Sequence, residues 1–310
     1  MKTSAKATLI TALSMVLAMG TACAQTFIDV KAYGDGFVAS DRNGKIVFTD
    51  DRGNHTDSVM VRDFRSRAIA AISSPTCSIV VAGGENGDVY AIRNGKSTRI
   101  HHGGPAINSI TAHGNDIYAA CNDGTILAWN GFSSDSKAPA CRTIRLDTRD
   151  NLVSIAASDP GIFAISAQGT IASSANGTSW SLLDFNSFYD GYYDRVIFTA
   201  IGASPEGVAA TGSFTDGSPA LFLSNQGTVW SERSLTYKDG ARYVMLEATP
   251  LGISHDQNGD RWVMSCSEGT IFFIPGCSHC NSIEYRPAAD IWQVAFNGPR
   301  YLAAGDVYLK

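Results

Sequence analysis

The sequence predicts an all-β chain folded as a β-propeller, and three observations carry that prediction. Turn glycines recur through the chain at Gly44, Gly87, Gly124, Gly169, Gly217, Gly269 and Gly305, 36 to 52 residues apart. A repeat of about 40 residues built from short strands is the signature of a propeller blade. The runs on either side of these glycines alternate in polarity and favour β-branched and aromatic residues, as in IVVAGGENGDVYAIRNG (79 to 95) and DIYAACNDGTILAWNG (116 to 131); this is the period-two pattern of a strand. The composition fits: 30 glycines, 17% charged residues and 44% hydrophobic residues in 310 suit many tight turns around a large core. No helical pattern of useful length follows the N-terminal segment.

That segment reads as a separate object. Lys2 and Lys6 precede an apolar run, LITALSMVLAM (9 to 19), too short to span a bilayer, and Ala22-Cys23-Ala24 has the form of a cleavage site. The expectation is a signal peptide over 1–24, a mature start at Gln25, and export to the periplasm or medium. A lipoprotein signal carries Leu three residues before its cysteine; here Gly20 holds that place, which argues against lipidation at Cys23. No later stretch is long and apolar enough for a transmembrane helix.

The mature chain, 25–310, then reads as one domain of repeated units. Each has an apolar alternating run, a turn, a second run, a tight glycine turn and a third run. The second-to-third turns are FVASDRNGKIVFTDDRG (37 to 53), the two quoted above, GIFAISAQGTIASSANG (161 to 177), GVAATGSFTDGSPALFLSNQG (207 to 227), RWVMSCSEGTIFFIPG (261 to 276) and RYLAAGDVYLK (300 to 310). Asn-Gly, Asp-Gly and Gln-Gly pairs supply the positive φ that hairpin turns need. One such sheet cannot bury both faces, whereas a ring of them can. Seven blades of three to four antiparallel strands are expected, or six if the last partial unit joins the first. Residues just after Gln25 are expected to supply the missing outer strand of the last unit.

Charge and cysteines bound the partners. Removing 1–24 takes away two lysines and no acids, which leaves a net charge of −7. With basic residues scattered along the chain, neither nucleic acid nor an anionic membrane surface is expected as partner. Six cysteines remain, an even number that in an exported chain suggests disulfides. Cys121 with Cys141, and Cys266 with Cys277 or Cys280, are the candidate pairs. No second CxxC or HxxxH completes a zinc site with Cys277-Ser278-His279-Cys280.

The turn after the third strand carries a family hint. Asp-box, or BNR, propellers place Ser-x-Asp-x-Gly-x-x-Trp there. In SSANGTSW, Ser173, Gly177 and Trp180 match, with Ala175 in the aspartate position; in SNQGTVW, Asn225, Gly227 and Trp230 match; in TDDRG, Thr49, Asp51 and Gly53 match. The chain thus resembles the BNR-like and YVTN-type propellers over nearly its whole mature length. The resemblance implies that these turns are structural, with the tryptophan packed between blades. It also implies a range of functions: sialidases, sugar-binding modules, and assembly factors resembling the photosystem II stability protein. Fold alone does not choose among them.

Local chemistry is sparse. A sialidase would need an arginine triad, a Tyr–Glu nucleophile and an acidic Asp; no Arg-Ile-Pro-like motif stands near the N-terminus, and Arg286-Pro287 is out of place. His101 and His102, adjacent on a strand, point to opposite faces and make a poor metal site. Asp256, Asn258 and Asp260 have calcium-like spacing, but Arg261 and Ser267 stand where an EF-hand needs Gly and an acid, so an Asx-rich turn is expected. No phosphate-binding or nucleophile-elbow motif occurs, so no cofactor and no metal is expected.

The most distinctive stretch is FNSFYDGYYDR (185 to 195), with Phe185, Phe188, Tyr189, Tyr192 and Tyr193, in one of the longest inter-turn segments. The next segment carries YKDGARY (237 to 243), with Tyr237, Arg242 and Tyr243. Insertions in a repeat ring fall in loops, often on a binding face. These eight residues are the candidate binding site of a non-catalytic scaffold for an envelope or extracellular protein or glycan. The alternative is a glycan-active enzyme, a sialidase-like hydrolase or lyase, with acids dispersed over several blades.

Overall fold

The computed structural model describes residues 26–75, 77–133, 137–276, 281–285 and 290–305. The cleavable signal read over 1–24 lies outside them. The first sheet joins β1 (Phe27–Tyr33), β2 (Gly36–Asp41), β3 (Lys45–Thr49) and β4 (His55–Met60). The second joins β5 (Ser66–Ser74), β6 (Cys77–Gly84), β7 (Val89–Arg93) and β8 (Lys96–His101), and the third β9 (Ile107–His113), β10 (Asp116–Cys121), β11 (Thr125–Trp129) and β12 (Arg142–Arg145). The fourth joins β13 (Leu152–Ser158), β14 (Gly161–Ser166), β15 (Thr170–Ser174) and β16 (Ser181–Asp184), which leads into a single helical turn, α1 (Phe185–Phe188). The fifth joins β17 (Val196–Ser204), β18 (Gly207–Phe214), β19 (Pro219–Ser224) and the two-residue β20 (Ser231–Glu232). A separate hairpin, β21 (Thr236–Asp239) and β22 (Arg242–Met245), precedes the sixth sheet: β23 (Pro250–Asp256), β24 (Arg261–Cys266), β25 (Thr270–Pro275) and β26 (Ser282–Tyr285). Last comes the pair β27 (Ile291–Asn297) and β28 (Arg300–Gly305).

The architecture is an all-β propeller of six four-stranded antiparallel blades, with the β27–β28 pair wedged between the sixth and the first. The innermost strands β1, β5, β9, β13, β17, β23 and β27 each contact the next, and β27 contacts β1, so the ring closes. The core is divided accordingly. Seven buried clusters lie between successive wedges, from Val38, Ile69 and Val80 between the first two blades to Val30, Phe37 and Ala304 at the closure. Each blade buries apolar residues on both faces because β-strand side chains alternate and each face meets a neighbour. Asn297 fastens the closure by donating from Nδ2 to the Gly34 and Gly36 carbonyls.

The closure differs from the expectation that residues after Gln25 complete the last unit. Those residues form β1, the innermost strand of the first blade, paired with β2 along Phe27–Tyr33. The alternating run FIDVKAY suits a strand with one face against the neighbouring blades, where Val30 is fully buried, and the other toward the channel.

A bulge recurs in all seven inner strands. The ladder skips Ile28, Arg67, Asn108, Val153, Thr199, Leu251 and Trp292 in turn. A bulge leaves its extra residue unpaired and re-aims its side chain. All seven line the central channel, a cavity of about 480 Å³. The residue after the bulge stitches neighbouring blades: Asp29 Oδ2 accepts from the Ile69 amide (2.9 Å), Ser109 Oγ from Ile155 (3.2 Å) and Ser154 Oγ from Ile201 (3.2 Å).

The expected pair Cys121 and Cys141 forms no disulfide. Cys121 ends β10 and Cys141 immediately precedes β12, with β11 between them. Two strands two places apart in a sheet are separated by roughly 10 Å, beyond the ~7 Å Cα limit for a bridge. Both are thiols in the core between the second and third blades, where burial pushes them up to about 12 and about 11. Cys266, also a thiol, is fully buried and pushed up to about 12; Cys277 and Cys280 lie outside the described residues. No helix among the described residues is long and apolar enough to cross a membrane.

Candidate functional site

Antiparallel strands bring the turns between second and third strands to the same end of the ring as the connections between blades. Backbone bonds join the two sets directly: Val61 donates to Gly44 (2.9 Å), Glu85 to Arg65 (3.0 Å), Leu146 to Gly124 (3.0 Å), Phe185 to Gly169 (2.9 Å), Thr215 to Arg195 (3.1 Å) and Ser267 to Thr249 (2.9 Å). The 185 to 195 stretch starts and ends on this loop face, whereas the base of the 237 to 243 hairpin is tied toward the other end, where Asn281 Nδ2 donates to the Ser234 and Thr236 carbonyls.

The structure splits the eight predicted binding residues in two. Phe185 is 1% exposed and lies against the rings of Tyr189, Tyr193, Phe198 and Phe222. Tyr189 also accepts a hydrogen bond through its hydroxyl from the Trp230 amide (2.8 Å), and Tyr193 stacks edge-on to Phe222. These three pack in the wedge between the fourth and fifth blades, Phe185 fully buried and Tyr189 and Tyr193 half-buried. The local sequence explains how. Asp184 caps α1 by accepting from the Ser187 amide (3.1 Å) and hydroxyl (2.7 Å), while Asn186 brackets Val196 through both its amide and its carbonyl (2.9 and 3.0 Å). The segment is thereby folded back on the blades. Phe188 (63%) and Tyr192 (82%) are left outside.

The hairpin behaves alike. Tyr237 is half-buried and packs edge-on to Phe272 in the core between the fifth and sixth blades, and Leu235 and Leu246 bury the hairpin's base. Arg242, Tyr243 and Met245 are exposed at its outer strand.

Sequence reading missed the basic part of the loop face. Arg42 sits in the turn between β2 and β3, Arg62 and Arg65 in the connection to the second blade, and Arg67 at the bulge of β5. All four are exposed, and among the described residues none of their guanidiniums takes a hydrogen bond or an ion pair. The nearby Asp41 carboxylate is turned inward, accepting from the Asn43 and Lys45 amides (2.8 and 2.9 Å). Arg67 occupies a bulge and reaches the channel, whose lining holds one carboxylate, Asp29. Asp29 is engaged with Lys31 at 2.6 Å and with the Ile69 amide.

The other flagged stretches are turn scaffolding. His102 Nδ1 lies 2.8 Å from Asp88, which also accepts from the Gly103 amide (2.9 Å); His101 lies edge-on to Trp129. Asp256 caps its own turn at Asn258 and Gly259 and bonds Arg261 Nε (3.0 Å). No group of three metal-ligating side chains occurs among the described residues. His255 is 89% buried by its side chain, against Trp262, and that burial lowers its pKa, partly offset by Asp260. A histidine whose folded pKa is depressed binds fewer protons than the unfolded chain, so its contribution is lost as pH falls through the unfolded value near 6.5. Urea titrations from pH 7.5 down to pH 5 are expected to show falling stability, and His255→Phe is expected to flatten the fall.

The Asp-box-like turns have an unexpected anchor. Ser174 Oγ accepts from the Gly177 amide (2.9 Å) and Ser224 Oγ from Gly227 (2.8 Å), while Asp50 accepts through its carbonyl from Gly53 (3.0 Å). The anchor stands three residues before the glycine, one place later than the Ser173 of the motif alignment. Trp180 and Trp230 pack between blades, in the wedges between the third and fourth and the fourth and fifth.

Fold and loop face together define a β-propeller with an aromatic and basic end. No protein-family model matches the chain, and no curated protein sequence does. Among solved structures, it is similar to that of YCF48 bound to D1 peptide, with a TM-score of 0.64 at 12% identity over 91% of this chain and 90% of that one. A likeness at this identity is one of fold.

Proposed function

We propose that the protein is an exported, non-catalytic scaffold whose loop face binds an acidic segment of a partner protein. The observation that carries this is the set of four unpartnered arginines, Arg42, Arg62, Arg65 and Arg67, near the junction of the first two blades, with Arg67 alone lining the channel, in a chain with net charge −5. Exposed, unpaired guanidiniums suit fork-like recognition of carboxylates. Across the ring, Phe188 and Tyr192 in the connection between the fourth and fifth blades, and Tyr243 in the hairpin after the fifth, add exposed apolar surface. The solved propeller of similar fold is named as bound to a peptide, which supports this reading by analogy of fold. Degenerate Asp-box turns support kinship with BNR-type propellers. The dispersed-acid enzyme has less support: a glycosidase needs two facing carboxylates, and the one in the channel is already engaged.

The test is fluorescence anisotropy with an acidic peptide and a lysine-substituted control, followed by capture from the envelope fraction. Acidic binding is expected, weakened by raising salt to about 0.5 M. Arg62→Ala/Arg65→Ala/Arg67→Ala is expected to weaken it by about ten- to a hundredfold through lost charge complementarity. Phe188→Ala/Tyr192→Ala is expected to cost less. Equal binding of both peptides, or an unaffected triple variant, overturns the proposal.

A further inference from the structure

The opposite end of the ring carries a second cleft, of about 650 Å³, between the turns 174–180 and 224–230 of the fourth and fifth blades. The two turns are copies. Each is pinned by a serine three places before a glycine of positive φ, Gly177 at 67° and Gly227 at 74°. Each lifts two exposed residues, Ala175 and Asn176 or Asn225 and Gln226, to its tip. They are held rigidly: Trp230 donates from its indole to the Gly227 carbonyl (3.2 Å) and from its amide to Tyr189, and Asn176 Oδ1 accepts from the Thr178 and Ser179 amides (2.9 and 3.0 Å).

The chemistry of the lining is specific. No Asp, Glu, Lys, Arg or His side chain lines the cleft. Beside Ser173 and the turn-pinning Ser174 and Asn176, its lining holds the side-chain amides of Asn225 and Gln226 and the hydroxyls of Ser179, Ser181 and Thr228, none of which takes a hydrogen bond among the described residues, while Pro160 and Pro205 add apolar ring faces. An apolar ligand would leave these donors and acceptors unpaired, and a charged one would lose its hydration with no counter-charge. A ligand dense in uncharged hydroxyls, with aliphatic C–H faces, satisfies both constraints. The volume lies within the roughly 300–1,000 Å³ of small-ligand clefts.

We infer that this cleft is a binding site for a neutral oligosaccharide, on the face opposite the arginines and independent of what they bind. The test titrates the intact protein with neutral hexasaccharides of β-1,4-glucose, β-1,4-N-acetylglucosamine and α-1,4-glucose, by calorimetry and by saturation transfer from protein to ligand. At least one is expected to bind, and Asn225→Ala/Gln226→Ala is expected to weaken it about tenfold or more, one good hydrogen bond or two modest ones. Both positions are exposed, so an unchanged melting temperature in that variant is the control for folding. The triple arginine variant is expected to bind the sugar normally, which separates this site from the loop face. Absence of binding by all three sugars, preference for an acidic sugar such as oligogalacturonate, or equal binding by the double variant overturns the inference.

Discussion

Phe185→Ala is expected to destabilise the protein by about 3–5 kcal/mol, the range for emptying a buried phenylalanine site. Phe185 is 1% exposed and is the hub of a five-ring cluster with Tyr189, Tyr193, Phe198 and Phe222, drawn from the connection itself and from β17 and β19. Its loss removes the transfer energy of one ring, leaves a cavity between two blades, and strips ring contacts from four others, edge-on with Phe198 and Phe222. Because the cluster also holds the 185–195 connection down, faster amide exchange is expected there before global unfolding. Urea denaturation measures the first effect and hydrogen exchange the second. A loss below about 1 kcal/mol, a typical exposed-site value, would contradict the packing role assigned to this residue. Tyr192→Ala, at an 82% exposed position of the same segment, is the matched control and is expected to cost little.

Gly227→Ala is expected to cost about 2–5 kcal/mol. The left-handed backbone at φ 74° contributes about 1–2 kcal/mol for any residue bearing a Cβ. A methyl group there would also overlap the ring of Phe163 on the neighbouring blade, and overpacking adds about 1–3 kcal/mol. Gly217→Ala separates the terms: its φ is 91°, yet no atom lies within 4 Å of the added methyl, so only the backbone cost applies. Thermal melts of the two variants should therefore differ clearly. Similar shifts would mean that the turn of the fifth blade does not press against the fourth as described.

The repeat was legible because backbone demands are written in single residues. Gly44, Gly87, Gly124, Gly169, Gly217 and Gly269 all carry positive φ between second and third strands, where the alternating runs required hairpins. Gly305, the seventh in that series, has no positive φ; its Cβ position is filled by the backbone of Asp290, so glycine is needed there for close approach. Spacing alone cannot distinguish these two reasons for a glycine. The aromatics of 185–195 were ambiguous for a similar reason. A loop has no periodicity to tell an inward ring from an outward one, and only the caps at Asp184 and Asn186 decide it. The arginines were invisible as a group because a whole hairpin separates Arg42 from Arg62, and only the bond from Val61 to Gly44 brings them to the same blade junction.

The seven bulges have a consequence for how such a protein can change. Ile28, Arg67, Asn108, Val153, Thr199, Leu251 and Trp292 stand outside the ladder that pairs their strands, and they already differ in size, charge and polarity. Two of the seven side chains hold backbone, Asn108 by donating to the Leu152 carbonyl (2.8 Å) and Thr199 to the Thr211 carbonyl (3.1 Å); the other five stand outside the ladder without such a bond among the described residues. The channel wall is therefore a dial with five free positions. Each setting can be turned separately, by drift or by a protein engineer, to retune what enters the ring while the wheel that carries it stays the same.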